Sequence, residues 1–367
     1  MRDGIWHSVP FAEEYMTPLL ELRGSQYAHS EFAQREYVHW QLKENPAGRA
    51  ISWIALQNPA KVIGEYWMVP ARFRINRHTY LGTIGANALV DSEHRRQNVF
   101  IVLGKRCSHT CLEQSIEFTL YVPNRLSLRG LIRRLDCADL GEVPFLVYPF
   151  DMNKLAEHAF RGAALRKLTP QLMRGLCRLA ISPRKDPKIG AEAIELFRVS
   201  NFDPDFDLFW DRIRDKYPSI AVRDSGHMNW RYARAPLRKY AILLARGGDR
   251  ILGYLISRSA TIRGLQSGII MDFLFESSPL GQTAGHTLLE TVMKDFAEEK
   301  AHLVCCLSLS HTEEYRVLRS HGFVKCPGLF KPHPFHLIAQ IHNTNFKEPC
   351  FNNINDWYWT LGDYDIF

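Results

Sequence analysis

The residues best suited by type and spacing to do chemistry lie in one short stretch, Asp91-Ser92-Glu93-His94-Arg95-Arg96-Gln97-Asn98-Val99. It follows the strand-like run Thr83 to Val90 and leads into a helix-like run that reaches about Glu113. A loop that opens a helix presents backbone N–H groups and the positive end of the helix dipole. Phosphate oxygens bind there, and nearby guanidinium groups strengthen the hold. The same residues would also suit a solvated basic turn. Two carboxylates stand out as candidate bases. Glu117 lies inside the apolar run Ile116 to Val122, and Glu65 follows Gly64 in the run Val62 to Val69. Apolar surroundings raise a carboxyl pKa toward neutrality, which suits a general base. Glu117 could equally pair with an arginine or face solvent. Tyr121, on the same strand, could serve as an acid or simply fill the core.

Elements that would position these groups occur twice, offset by about 190 residues. Trp40 precedes Pro46 by six positions, and Trp230 precedes Pro236 by six. Trp40 to Gly64 is 24 positions, and Trp230 to Gly253 is 23. Each half then has a strand ending in acid, Gly82 to Asp91 and Gly268 to Glu276, followed by a polar loop and a helix-like run. In the first half, alternation and turn residues predict strands at Ile51–Leu56, Val62–Val69, Ala71–Ile75 and Thr83–Val90. Helices are expected at Phe11–Arg23, Glu31–Lys43 and Leu126–Leu135, with Val143–Val147 as the last strand of the first copy. The second half predicts strands at Tyr240–Ala245, Ile251–Arg258, Gly268–Phe275 and Leu303–Leu309. Its helices are expected at Thr283–Glu299 and Thr312–Ser320, the latter stopped by His321-Gly322. The expected class is α+β, with a mainly antiparallel sheet and a central strand–loop–helix in each copy.

A length of 367 residues suits two domains. The 46% apolar and 23% charged fractions are those of a soluble globular chain. No run approaches the ~18 apolar residues of a membrane span, and Met1–Pro10 holds no apolar signal core. A cytoplasmic protein with no membrane partner is therefore expected. The net charge of +7 is mild and is not gathered into a long basic run, so nucleic acid is not an expected partner. The eight cysteines do not fall into disulfide spacing. Cys107, His109 and Cys111 could be imagined as metal ligands, but no second ligand pair follows, and no metal is expected.

The order of elements and the loop residues resemble the GCN5-related N-acetyltransferase superfamily. Its acyl-CoA loop reads (Arg/Gln)-x-x-Gly-x-(Gly/Ala). Arg95 falls on the first position and Leu103 on the usual helix leucine. Asn98 stands where glycine is expected, and Phe100 on the last small position. Asparagine tolerates positive φ better than other side chains, so the loop can still turn. In the second copy, Gln282 and Gly285 fall on the first and fourth positions, beside Pro279. The tyrosine that often acts as acid in the superfamily is replaced by Ile132 and Leu318. Pro123-Asn124, Asn229-Trp230-Arg231-Tyr232 and Trp357 to Asp363 resemble segments of a bacterial tandem subgroup.

That resemblance implies two tandem modules: an N-terminal acyltransferase domain at 1–160, a linker at 161–188, and a second domain at 189–367 with a degenerate loop. It implies transfer of an acetyl or other acyl group from CoA to a primary amine of a small molecule or sugar, without a metal. Arg95, Arg96, Gln97, Asn98, Val99 and Asn124 would then hold the cosubstrate. Backbone amides at Leu89, Val90 and Asp91 would polarise the thioester carbonyl. Glu117 or Glu65 would be the base, and Tyr121 the acid for the leaving thiolate. The rival expectation is a non-catalytic acyl-CoA- or partner-binding protein with both sites decayed.

Overall fold

The computed structural model describes residues 6–27, 30–58, 61–159, 194–328 and 331–364. The expected linker, 161–188, lies outside the described residues. The chain packs as two compact units that are not consecutive in sequence. The first comprises Met1–Glu142, Gly226–Arg238 and His336–Ile354; the second comprises Val143–Ser225, Lys239–Phe335 and Asn355–Phe367.

In the first unit the strands are β1 (His7–Pro10), β2 (Ile51–Asn58), β3 (Lys61–Ile75), β4 (His78–Val90), β5 (Phe118–Tyr121) and β6 (Ala138–Glu142). Their sheet order is β1-β2-β3-β4-β5, then a late strand, His336–Ile341, then β6. Side chains alternate across this sheet except at an irregularity between Glu65 and Trp67, where the faces exchange. Val62 and Trp67 face a cluster with Met16, Leu19 and Leu22 of helix α1 (Met16–Gln26) and Val38 and Leu42 of α2 (Arg35–Lys43). Ile63, Tyr66 and Met68 face the opposite cluster, with Val99, Leu103 and Cys107 of α3 (Val99–Glu113) and Leu131 of α4 (Arg125–Arg134). Gly64 is needed for this contact, because a Cβ there would stand 2.6 Å from a Val99 methyl.

The second unit holds β7 (Phe145–Pro149), α5 (Met152–Ala159), β8 (Glu195–Val199), α6 (Asp205–Ile213) and β9 (Ser219–Ala221). A short helix, α7 (Ser225–Met228), runs into a wider turn at Asn229–Ala233 within the first unit. The second sheet continues with β10 (Ala241–Gly247), β11 (Arg250–Ile262), β12 (Leu265–Phe275), β13 (Leu303–Leu307) and β14 (Val324–Lys325). Its order is β14-β7-β13-β12-β11-β10-β8. Helix α8 (Pro279–Glu298) buries Ala284, Leu288, Leu289, Val292 and Phe296 against it, and α9 (Glu313–Ser320) adds Val317 and Leu318. The remaining strands are β15 (His336–Ile341) and β16 (Trp357–Tyr358), the latter pairing with β9.

The two sheets exchange a strand. β15 comes from the C-terminal half, yet it lies between β5 and β6, pairing Ile338 with Tyr121 and His336 with Glu142. β7 comes from the N-terminal half, yet it lies between β13 and β14, pairing Val147 with Cys305 and Val324. This corrects the expectation that Val143–Val147 closes the first copy's own sheet. An apolar strand specifies burial between two neighbours but not which sheet supplies them. The compact units accordingly do not divide at residue 160.

The repeat expected from sequence has direct structural counterparts. Gly64 pairs with Val90 and Gly253 with Phe275. The Asp91 amide donates to the Ile63 carbonyl at 2.9 Å, and the Glu276 amide donates to the Leu252 carbonyl at 2.8 Å. Trp40 and Trp230 stack with centroids 4.8 Å apart. Each indole N–H donates to the other residue's carbonyl, at 3.0 and 3.4 Å. The landmark tryptophans are thus reciprocal packing partners.

Candidate functional site

The first candidate site forms where β4 leaves its partner. β4 and β5 pair in parallel only at Thr83–Thr119 and Ile84–Leu120. Beyond Ile84, β4 runs on to Val90 beside β3 alone. A bulge interrupts that pairing between Glu65–Leu89 and Trp67–Ala86. Asn87 adopts φ +41° there, and its side chain donates to Gln41 Oε1 at 2.7 Å. The bulge strengthens the local twist and bends the strand end. Gly85, Ala86, Asn87 and Val90 stay partly accessible, Ala88 is exposed, and Leu89 is buried. Because the Asp91 amide points to β3, alternation directs the Val90 amide to the free edge.

The loop beyond turns through Asp91, whose carboxylate accepts the Glu93 amide at 2.9 Å. That hydrogen bond, more than the neighbouring His94, holds the Asp91 carboxyl below its ordinary pKa. Asn98 has φ +60° and ψ +14°, the left-handed conformation its side chain tolerates. It makes no side-chain cap on α3. The first helical bond runs from the Val102 amide to the Asn98 carbonyl, so the Val99, Phe100 and Ile101 amides have no helical acceptor. Arg95 and Arg96 are exposed beside them. Arg134 of α4 reaches Asn98 Oδ1 at 3.2 Å. Phe100, which occupies a small-residue position, turns inward. Its ring lies 5.2 Å from that of Tyr66 and against Gly130 of α4. Asn124 caps α4, accepting the Leu126 and Ser127 amides at 2.9 and 3.0 Å.

Other expected site residues lie elsewhere. Glu65 is buried, and Arg23 clasps it through Nε and Nη2 at 2.9–3.1 Å. Arg23 also stacks over Trp67, 4.3 Å from the ring centroid. Burial raises the Glu65 pKa while Arg23 opposes it. The pair fastens α1 to β3 and commits the Glu65 carboxylate to Arg23. Glu117 sits at the opposite end of β4, its amide donating to the Leu81 carbonyl. Nine residue steps separate Leu81 from Val90, roughly 30 Å of strand. Tyr121 lies nearer, but it is buried, with its hydroxyl donating to Gln340 Oε1 at 3.1 Å. Burial pushes that phenol well up. The geometry therefore gathers Leu89, Val90, Asp91, Arg95, Arg96, Gln97, Asn98 and Val99, with neither carboxylate among them. Cys107 and Cys111 are core residues donating to Tyr66 O and Met68 Sδ, whereas His109 is exposed beside Glu113. No metal-holding group of His, Cys, Asp and Glu occurs among the described residues.

Sequence reasoning missed Asn87, Arg134 and Gln340. Asn87 had a signal, a lone amide between alanines at the end of a strand. Arg134 and Gln340 had none, because tertiary packing alone brings them to the site.

The second copy repeats the frame but fills it. β12 and β13 pair at Ser267–Leu303, Gly268–Val304 and Ile269–Cys305, and β12 has a matching bulge between Ile270 and Asp272. Here the chain's own C-terminal segment occupies the free edge. The Tyr358 hydroxyl donates to the Phe273 carbonyl. Thr360 Oγ1 donates to Asp272 Oδ1 at 3.3 Å. Arg223 bridges Asp272 at 2.9 Å and Asp363 at 2.8 Å, and the Tyr254 hydroxyl donates to Asp272 at 3.0 Å. Every residue from Ser267 to Glu276 is buried, and the wedge retains only about 10 Å³. Burial raises the Asp363 pKa against the pull of Arg223. The following helix is capped by its own Ser278, which accepts the Gly281 amide at 3.1 Å. A Cβ on Gly281 would stand 2.2 Å from the Glu276 carbonyl, so that turn is closed against the strand.

A parallel strand pair that splays just before one strand bulges, followed by a helix whose start faces the opening, thus occurs in both units. Solved structures share this architecture across nearly the whole chain. A GCN5-related N-acetyltransferase from Anabaena variabilis superposes with a TM-score of 0.61 at 14% identity, covering 92% of this chain and 73% of that one. The chain has the GCN5-related N-acetyltransferase fold. A probable N-acyltransferase from Enterococcus faecalis matches the same fold at TM-score 0.59 and 11% identity, covering 92% and 73%. The N-myristoyltransferase of Saccharomyces cerevisiae, solved with bound myristoyl-CoA, matches at TM-score 0.60 and 12% identity, covering 93% and 85%. No protein-family model matches the sequence, and no curated protein does. The N-acetyltransferase fold is present twice, once with an open strand edge and once with that edge filled.

Proposed function

We propose that the chain is an acyl-CoA-dependent N-acyltransferase whose cosubstrate binds the first unit. The observation that carries this reading is the end of β4 from Gly85 to Val90, paired on its β3 side alone and accessible at Gly85–Ala88 and Val90, beside an uncapped helix start. The pyrophosphate would rest on the Val99, Phe100 and Ile101 amides, with Arg95 and Arg96 neutralising it. Gln97 and Asn98 shape this cradle, and Asn124 keeps its Nδ2 as a donor for the pantetheine arm. The Val90 amide would face the thioester carbonyl and hold the developing oxyanion. A neutral primary amine attacks that carbonyl. The C–S bond then breaks, the thiolate takes up a proton, and the nitrogen loses one. The acceptor in this reading is a primary amine of a small molecule or sugar, and the protein works in the cytoplasm with no membrane partner. No helix among the described residues is long and apolar enough to cross a membrane.

The screening experiment is a thermal-shift series with acetyl-CoA and longer acyl-CoAs, because a ligand that binds only the folded form raises its melting point. No stabilisation by any acyl-CoA would remove the proposal. A second reading, an acyl-CoA-binding protein without turnover, is favoured by one observation. Glu65 is sealed by Arg23, and Glu117 stands at the far end of the strand. Release of free CoA thiol in the presence of an amine panel separates the two readings.

A further inference from the structure

Helix α4 of the first unit buries one face and presents the other to solvent. Its sequence, Arg125-Leu126-Ser127-Leu128-Arg129-Gly130-Leu131-Ile132-Arg133-Arg134, holds four arginines and no acid. Leu128 and Leu131 pack into the core beneath it. Arg125, Arg129 and Arg133 fall at i, i+4 and i+8, so they stand in one row along the outer face, spanning roughly 12 Å. All three are exposed, and none makes an ion pair among the described residues. Leu126 flanks the row on one side and Ile132 on the other, 86% and 38% exposed. This face works against the helix that carries it. Like charges four residues apart repel, and Arg125 sits at the positive end of the helix dipole. No carboxylate among the described residues pairs with the row.

We propose that this face docks an acidic helix of another protein, one with carboxylates at i, i+4 and i+8 and apolar side chains beside them. A guanidinium takes a carboxylate through two parallel N–H donors, and a row of arginines suits a row of carboxylates. Leu126 and Ile132 then leave water against the partner's apolar side chains, as the flanks of a ridge packed into a groove. An anionic membrane fits less well. A helix that lies on a membrane gathers apolar residues on its buried face and cations on the opposite, polar face. In α4 the cations run down the middle of the exposed face and the aliphatic chains flank them. Nucleic acid would pair its phosphates with the arginines but leave both aliphatic chains without apolar partners, and α4 has no aromatic ring for a base to stack on. None of these five side chains belongs to the cosubstrate cradle, so the docking face is independent of acyl transfer.

The test uses the full chain and a fluorescein-labelled synthetic helix with glutamates at i, i+4 and i+8 and leucines beside them, read by anisotropy. Saturable binding is expected, weakening as salt is raised. A peptide with glutamine at the same positions should not bind. Arg129→Glu with Arg133→Glu should weaken binding by roughly tenfold or more, since like charges facing each other across an interface repel. Leu126→Ser should weaken it less and leave its salt dependence unchanged. Melting temperature and acetyl-CoA affinity should stay at their native values in these variants. If charge reversal lowers the melting temperature, Arg129→Gln with Arg133→Gln gives the same reading without the repulsion. The proposal is overturned if the acidic helix does not bind, if the glutamine peptide binds as well, or if binding ignores Arg129 and Arg133. It is equally overturned if vesicles of phosphatidylglycerol and phosphatidylcholine, or a DNA duplex, bind more tightly than the peptide with the same dependence on those arginines.

Discussion

The two strand–loop–helix junctions share a backbone plan and differ in what covers them. At the first, β4 ends in small residues, Gly85-Ala86-Asn87-Ala88, and remains accessible. At the second, the matching stretch carries Met271, Asp272 and Phe273 and is fully buried. A splayed strand edge has unsatisfied backbone groups, which must meet water, a ligand or the protein itself. The first junction leaves that need open. The second answers it internally, with a tyrosine hydroxyl on a strand carbonyl and an arginine between two aspartates. Two copies of one backbone plan can therefore differ in whether the strand edge stays open or becomes core.

The largest effect should come from unmaking that internal filling. Arg223→Ala would leave Asp272 and Asp363 buried without their cation. Breaking a buried pair costs about 3–5 kcal/mol, and a urea unfolding midpoint unchanged within error would show that the plug is not structural. Next is an acid response on the other module. His342 Nε2 and Thr119 Oγ1 share a hydrogen bond at 2.7 Å, and burial lowers the His342 pKa from 6.5 to about 4. The unfolded chain therefore takes up a proton between pH 6.5 and 4 that the folded chain refuses. The stability this histidine contributes is present above pH 6.5 and is lost as pH falls toward 4. A shift of that size is worth up to ~3 kcal/mol, and His342→Gln should flatten the acid limb of a stability–pH curve.

Arg95→Ala with Arg96→Ala tests the ligand side of the comparison. Each lost charge-assisted contact is worth about 1.5–3 kcal/mol, or roughly ten- to a hundredfold in acetyl-CoA affinity, with little change in melting temperature. Unchanged affinity by calorimetry would move the cosubstrate away from the first unit. The smallest effect is at Asn98. Asn98→Ala should lose about 1 kcal/mol for holding a left-handed conformation without a tolerant side chain, whereas Asn98→Gly should keep both stability and affinity.

Much of this contrast was legible in the sequence where it depended on local chemistry. Asn98 could be read as the turning residue because positive φ is a property of the residue itself. The repeat could be read because tryptophan, proline and glycine landmarks keep their spacing. The helix stop at Gly322 followed from the same kind of signal, and its φ is +94°. Features set by distant partners were not legible. Glu65 in an apolar strand reads as a base until Arg23, 42 residues away, is found closing on it. Phe100 reads only as a large residue on a small-residue position until its ring is found packed against Tyr66 and Gly130. Glu117 had the right surroundings at the wrong end of its strand, since periodicity fixes the face of a residue and not its height. The strand exchange was beyond any local signal.

That exchange also sets the order in which the molecule can be made. β5 and β6 are synthesised early, yet the strand that joins them begins 194 residues after Glu142, at His336. At 5–20 residues per second the ribosome takes roughly 10–40 seconds to cover that distance. During this interval two strand edges of the nascent first sheet stand unpaired, and unpaired edges invite pairing with foreign chains. Biogenesis of this protein is therefore expected to lean on chaperones far more than its soluble composition suggests. Truncation late in the message should be as damaging to the first sheet as to the second.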